Sequence, residues 1–200
     1  MIRLLGRNTS GNVQKVIWLL EELGAAYERE DYGRQFGNTG DEAYLSLNPT
    51  GKVPTLVDGD AVVWESNTIL RYLCAKAGSD LLPADPVLRA HAETWMDWLL
   101  ASLNGPYVTI FMETKKPEAE RRSDLQEVGD TLAGHLKLLN AQLSKSTWLV
   151  GDKMSVAEYA LGPIVRRCLN FPVELPPFEG LKRWHGALME RPAFAKTVAA

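Results

Sequence analysis

Glu65 and Ser66 are the pair whose types and position speak most directly to chemistry. They stand just ahead of an apolar stripe at helical spacing, Ile69, Leu70, Leu73, Cys74 and Ala77, which stops at Gly78. A carboxylate and a hydroxyl therefore fall at a helix N-terminus, where unpaired backbone N–H groups and the positive dipole end attract a carboxylate. A second polar cluster, Arg7, Asn8, Thr9, Ser10 and Gly11, precedes the stripe Val13, Val16, Ile17, Leu20 and Leu23, so hydroxyls also stand where a first helix begins, near Ser10 or Gly11. Other chemistries find little support. His91, His135 and His185 show no metal or triad spacing, and no metal is expected. Cys74 and Cys168 lie far apart on apolar stripes with no C-x-x-C pattern, and read as buried reduced thiols.

The elements that must position these groups follow from periodicity. Residues 2–5 are a short apolar run with the character of a buried strand, and residues 27–32 form a second extended segment. A Gly-rich loop with Arg34, Phe36, Gly37 and Asn38 leads to a short helix over 41–47. Asn48, Pro49 and Gly51 mark a turn, and the β-rich segments 55–57 and 61–63, joined by Asp58, Gly59 and Asp60, predict a two-strand ribbon. The order β-α-β-α-β-β-α is the thioredoxin-like layout. Residues 79–86, rich in proline and aspartate, form the expected linker between a first domain of residues 1–78 and a second of residues 87–200.

Beyond the linker the period is 3.6 throughout, which predicts an all-helical second domain. Leu88, Ala92, Trp95, Leu99 and Leu103 form one stripe, interrupted near Gly105-Pro106, and Leu125, Val128, Leu132, Leu136, Leu139 and Leu143 form another. Ser155-Val156-Ala157-Glu158 is a capping box ahead of a core-facing helix containing Pro163, which should kink or loosen it. The last helix is expected over residues 181–190, ended by Pro192.

Composition narrows the partners. The chain has 200 residues and a net charge of -3 with no basic run, which argues against nucleic acid and anionic membrane and favours small molecules. Residues 1–6 are too short for a signal peptide, and no stretch approaches the ~20 apolar residues of a membrane span, so a cytoplasmic location is expected.

Val53-Pro54 followed by Glu65-Ser66 resembles the glutathione-binding signature of the glutathione transferase family. The resemblance covers essentially the whole chain and implies a cytosolic, dimeric enzyme whose cosubstrate is glutathione. It implies a cis proline that turns the Val53 N–H and carbonyl toward the cysteinyl backbone. Glu65 would take the γ-glutamyl ammonium and Ser66 the carboxylate. Lys52 would reach the glycyl carboxylate, with Asn38 and Thr39 as further glycyl contacts. The expected reaction is attack by glutathione thiolate on a small hydrophobic electrophile. Disulfide or peroxide reduction, dehalogenation and isomerisation remain alternatives, as does a non-catalytic binding or regulatory protein of the same fold.

A free thiol titrates at about 8.5, and lowering that by two units takes ~2.7 kcal/mol. A charge-assisted hydrogen bond supplies ~1.5–3 kcal/mol and a helix N-terminus ~0.3–1 kcal/mol, so a hydroxyl at the start of the first helix suffices without a general base. By resemblance to the serine-type, theta-like and bacterial branches, that hydroxyl is Ser10. Asn12 is second, because Ser-x-Asn-x-x-Lys-Val resembles bacterial members whose asparagine also approaches the sulfur, and Thr9 competes through one residue of slippage. Ser10 has another reading as a plain N-cap. The electrophile site is expected between the domains, where Tyr107, Ile110 and Phe111 are the candidates, although packing explains them as well.

Overall fold

Ile2–Leu5 forms β1, the strand on which the N-terminal sheet is built. The computed structural model describes residues 1–199. β1 pairs in parallel with β2, Tyr27–Glu30, and antiparallel with β3, Thr55–Asp58, while β3 pairs antiparallel with β4, Ala61–Trp64. The sheet order is β2-β1-β3-β4. Leu4 and Leu5 are both fully buried although they point to opposite faces, as expected of an interior strand covered on both sides. The ribbon turn is tight. Asp58 opposes Ala61, and Gly59 takes a φ of 60° between them, a conformation glycine adopts without a Cβ penalty.

Between these strands run α1, Gly11–Glu22, α2, Glu42–Leu45, and α3, Ser66–Ala77, with two 3-10 turns over Arg34–Phe36 and Asn38–Gly40. The βαβαββα order of the thioredoxin-like layout is present, with α1 and α3 packed against each other. α3 ends at Gly78, whose φ of 58° places it in the left-handed cap conformation.

The chain divides into two units, one made of Met1–Leu82 with the chain from Met189 onward, the other of Pro83–Leu188. The second unit is helical. α4, Pro86–Trp98, starts on Asp85, whose carboxylate accepts from the Val87 and Leu88 N–H groups at 3.0 and 2.8 Å. The stripe does not break at Pro106 itself. A π-turn over Leu99–Leu103 comes first, and α5, Asn104–Glu113, continues from it with helical backbone at the junction and carries Pro106, which has no N–H to give the preceding turn.

α6, Leu125–Leu143, buries Leu132, Leu136, Leu139 and Leu143 completely and packs on α5. α7, Val156–Cys168, runs unbroken through Pro163. Its capping box is complete: Glu158 accepts from the Ser155 N–H at 2.7 Å and Ser155 Oγ accepts from the Ala157 N–H. The other oxygen of Glu158 accepts from the Leu149 N–H at 2.7 Å, so this wholly buried carboxylate also ties down the preceding loop.

α8, Glu179–Met189, ends a residue earlier than expected, and Pro192 does not close the helical part of the chain. It opens a new turn as its N1 residue, where the ring's fixed φ is already helical: α9, Pro192–Phe194, continued by a π-turn over Ala195–Ala199. This tail belongs to the N-terminal unit rather than to the helical one. The Phe194 ring meets Trp18 edge-on at 4.7 Å, Lys196 reaches Glu21 at 2.9 Å, and Arg191 pairs with Glu22.

Candidate functional site

Asn48 anchors the site. It is almost wholly buried, and its amide nitrogen donates to the Lys52 carbonyl at 2.8 Å and to Thr55 Oγ1 at 3.0 Å, while its oxygen accepts from the Thr50 N–H and hydroxyl. The Tyr44 hydroxyl donates to the same Lys52 carbonyl at 2.6 Å and lies 2.9 Å from Thr55 Oγ1. A helix, a turn and a strand thus converge on the segment before Pro54. Each buried polar group there is partnered, as a fixed loop requires. The Val53–Pro54 peptide is cis.

Gly6, at the end of β1, explains how α1 comes close to this loop. A Cβ at that position would lie 2.5 Å from a Val13 methyl and 3.3 Å from the Val53 Cβ, so only glycine permits the approach.

α3 starts beside the loop. Its N-cap residue Glu65 has φ 69° and ψ 116°, outside the regions open to ordinary residues, and its side chain makes no capping bond. Strain of this kind costs on the order of 1–3 kcal/mol and gathers at functional sites. The first N–H groups of α3 therefore keep their attraction for an anion.

Asn12, Asn48, Thr50, Lys52, Val53, Pro54, Glu65 and Ser66 line one small pocket of about 50 Å³. Its wall carries a cation, a carboxylate, two hydroxyls and two amides. Behind Ser66 lies Lys15, buried on α1, with Nζ 3.5 Å from Ser66 Oγ. Burial lowers its ammonium to about 7, opposed by the Glu65 carboxylate.

Three segments separate in sequence thus bring Asn12, Lys52, Val53, Pro54, Glu65 and Ser66 together. Ser10 and Thr9 are not part of the pocket wall. Ser10 is 8% exposed at the N-cap of α1 and its hydroxyl makes no capping bond, whereas Thr9 is exposed. Asn38 spends its amide within its own loop, donating to the Asp31 carbonyl and accepting from the Gly33 N–H, both at 3.0 Å, and Thr39 follows it in the second 3-10 turn.

In the helical unit Tyr107 stacks on Phe111 at 5.9 Å and meets Phe171 at 5.7 Å, with the Arg167 guanidinium over the Phe111 ring. Phe111 is half-buried. Ile110 is fully buried, because helical spacing turns it into the core, and Tyr107 is nearly so.

The family model described as "Glutathione S-transferase, N-terminal domain" matches residues 2–75, and the "Glutathione S-transferase, C-terminal domain" model matches residues 103–192. The chain belongs to the glutathione S-transferase family. It is 39% identical to glutathione S-transferase GstB of Escherichia coli, over 99% of this chain and 98% of that one. It is 32% identical to glutathione S-transferase 3 of Zea mays, over 100% and 94%. Among solved structures, the theta class glutathione S-transferase of Xanthomonas axonopodis pv. citri with glutathione bound superposes with a TM-score of 0.95 at 35% identity, covering 100% of this chain and 97% of that one.

Sequence reasoning overlooked several residues that hold or line this pocket. Asn48 reads as a turn residue and Thr55 as a strand residue, yet both hold the Pro54 loop. Thr50 lines the pocket. Lys15 left a signal: it stands four residues before Leu19 in a helix whose residues 15–20 are all buried, and a lysine in such a run calls for a partner. Among the described residues no cluster of His, Cys, Asp or Glu could hold a metal ion, and no helix is long and apolar enough to cross a membrane.

Proposed function

We propose that the chain conjugates glutathione, as the thiolate, to small hydrophobic electrophiles. The observation that carries this reading is the convergence of Asn12, Lys52, Val53, Pro54, Glu65 and Ser66 on one pocket at an uncapped helix N-terminus. In it Glu65 takes the ligand's ammonium, and Ser66 with the first N–H groups of α3 takes the γ-glutamyl carboxylate. The backbone of Val53 pairs with the cysteinyl residue. Among the described residues neither its N–H nor its carbonyl takes a partner, which leaves both available. Lys52, exposed beside them, supplies charge for the glycyl carboxylate.

Ser10 is the first candidate to hydrogen-bond the sulfur, with Asn12 and Thr9 as the other two. The sulfur then forms a bond to the electrophilic carbon and the leaving group departs with its electron pair. Binding, orientation and thiolate stabilisation are the protein's contributions. Phe111 and Tyr107 are the candidates for contact with the electrophile. A homodimer and a cytoplasmic location complete the reading.

The test sets an aryl chloride against a mixed disulfide, each with glutathione. Conjugate and released chloride are expected with the first and no turnover with the second. Turnover of the disulfide alone would move the reaction to reduction. Absence of both, with no glutathione binding, would leave a protein of this fold with another role.

A further inference from the structure

Lys15 has no task in the reading above. A methionine of similar length would fill its place without the cost of desolvating an ammonium, and the buried residues that follow it on α1, Val16 to Leu20, are apolar. It does not line the pocket but touches a residue that does, Ser66, at 3.5 Å. We propose that Lys15 is a positioning residue of this site: its buried side chain holds the Ser66 hydroxyl toward the pocket and supplies the cation that answers the carboxylate of a ligand's amino-acid end. The inference rests on the glutathione reading, because the γ-glutamyl end carries that carboxylate.

The surrounding charges agree. Glu65 is the charged group that acts on Lys15. On the elements packed against α1, Tyr72 and Lys76 of α3 pair with Asp58, Arg71 of α3 is a further cation, and Cys74 is held neutral by burial. At the other end of α1, Glu21 and Glu22 pair with Lys196 and Arg191 of the C-terminal tail. A bound ligand's ammonium offsets Glu65, while its carboxylate settles on the serine that Lys15 touches. Negative charge moves toward the lysine and favours its protonated form. Near neutral pH the lysine is partly deprotonated, so binding takes up a proton, and affinity falls as pH rises through about 7.

S-methylglutathione is the suitable probe, because it has no thiol whose ionisation would release protons of its own. Titration calorimetry in buffers of different ionisation enthalpy reads affinity and proton uptake together. The unaltered protein should take up a fraction of a proton. Lys15→Met should bind about tenfold more weakly and take up none, with an affinity flat across neutral pH. Lys15→Arg should recover affinity without proton uptake, since its guanidinium stays charged.

Equal affinity and equal proton uptake in Lys15→Met would overturn the inference. If that variant does not fold, the unaltered protein decides: zero uptake at every pH around neutrality overturns it. Failure of the unaltered protein to bind either S-methylglutathione or glutathione would instead remove the glutathione reading itself.

Discussion

Ser10 occupies the N-cap position of α1, yet its hydroxyl makes no bond to the helix. A capping serine contributes ~1 kcal/mol, and here that contribution is missing, so the hydroxyl is available for a ligand. Ser10→Ala should leave thermal unfolding nearly unchanged while lowering the conjugation rate by about tenfold or more, the loss of one charge-assisted hydrogen bond. Unchanged turnover in steady-state assays would pass the role to Asn12, which lines the pocket, or to Thr9. The cysteines call for a different expectation. Both are fully buried, with burial pushing the Cys74 thiol up to about 12 and Cys168 higher still, so neither forms a thiolate near neutral pH. An aromatic disulfide reagent should label neither in the native protein and both after denaturation. Native-state labelling, read by absorbance, would contradict the burial.

At the scale of elements, the site depends on a turn held from three sides. Asn48 makes two donor bonds and accepts two more, and Tyr44 reinforces it at the Lys52 carbonyl. Asn48→Ala leaves that carbonyl with the Tyr44 bond alone and removes one partner of the buried Thr55 hydroxyl. Removing a buried hydrogen-bond partner costs about 1–3 kcal/mol. Chemical denaturation should show a loss in that range, and KM for glutathione should rise, because the loop bearing Val53 loses its support. A loss of stability with unchanged KM would mean that Pro54 and Gly51 hold the loop without it. The turn residues themselves were legible as turn residues. Their hydrogen-bond partners were not, since Asn48 and Thr55 lie seven positions apart on either side of a bend.

At the scale of the whole molecule, the chain from Met189 onward returns to the N-terminal unit. Its ion pairs with Glu21 and Glu22 are partly exposed, and such pairs contribute ~0–1 kcal/mol each. The buried ring of Phe194 against Trp18 outweighs them, since truncating a buried phenylalanine to alanine costs ~3–5 kcal/mol. Phe194→Ala should therefore lower the denaturation midpoint far more than Lys196→Ala. The opposite order in paired melts would make the tail's hold electrostatic. The tail grips the C-terminal half of the helix whose first turn carries Asn12, so its loss bears on the site as well as on stability.

The sequence by itself determined the elements, the order βαβαββα followed by helices, the capping box at Ser155 and the stretch from Asn48 to Ser66 that supplies most of the pocket wall. These features are written in neighbouring residues, because helical periodicity, caps and hairpin turns act over a few positions of chain. Only the tertiary structure decided that Lys15 stands behind Ser66, 51 positions away, that Asn12 rather than Ser10 forms the pocket wall, and that the last turn folds back on α1. Those relations are set by how whole helices pack on a sheet. No local pattern carries that information.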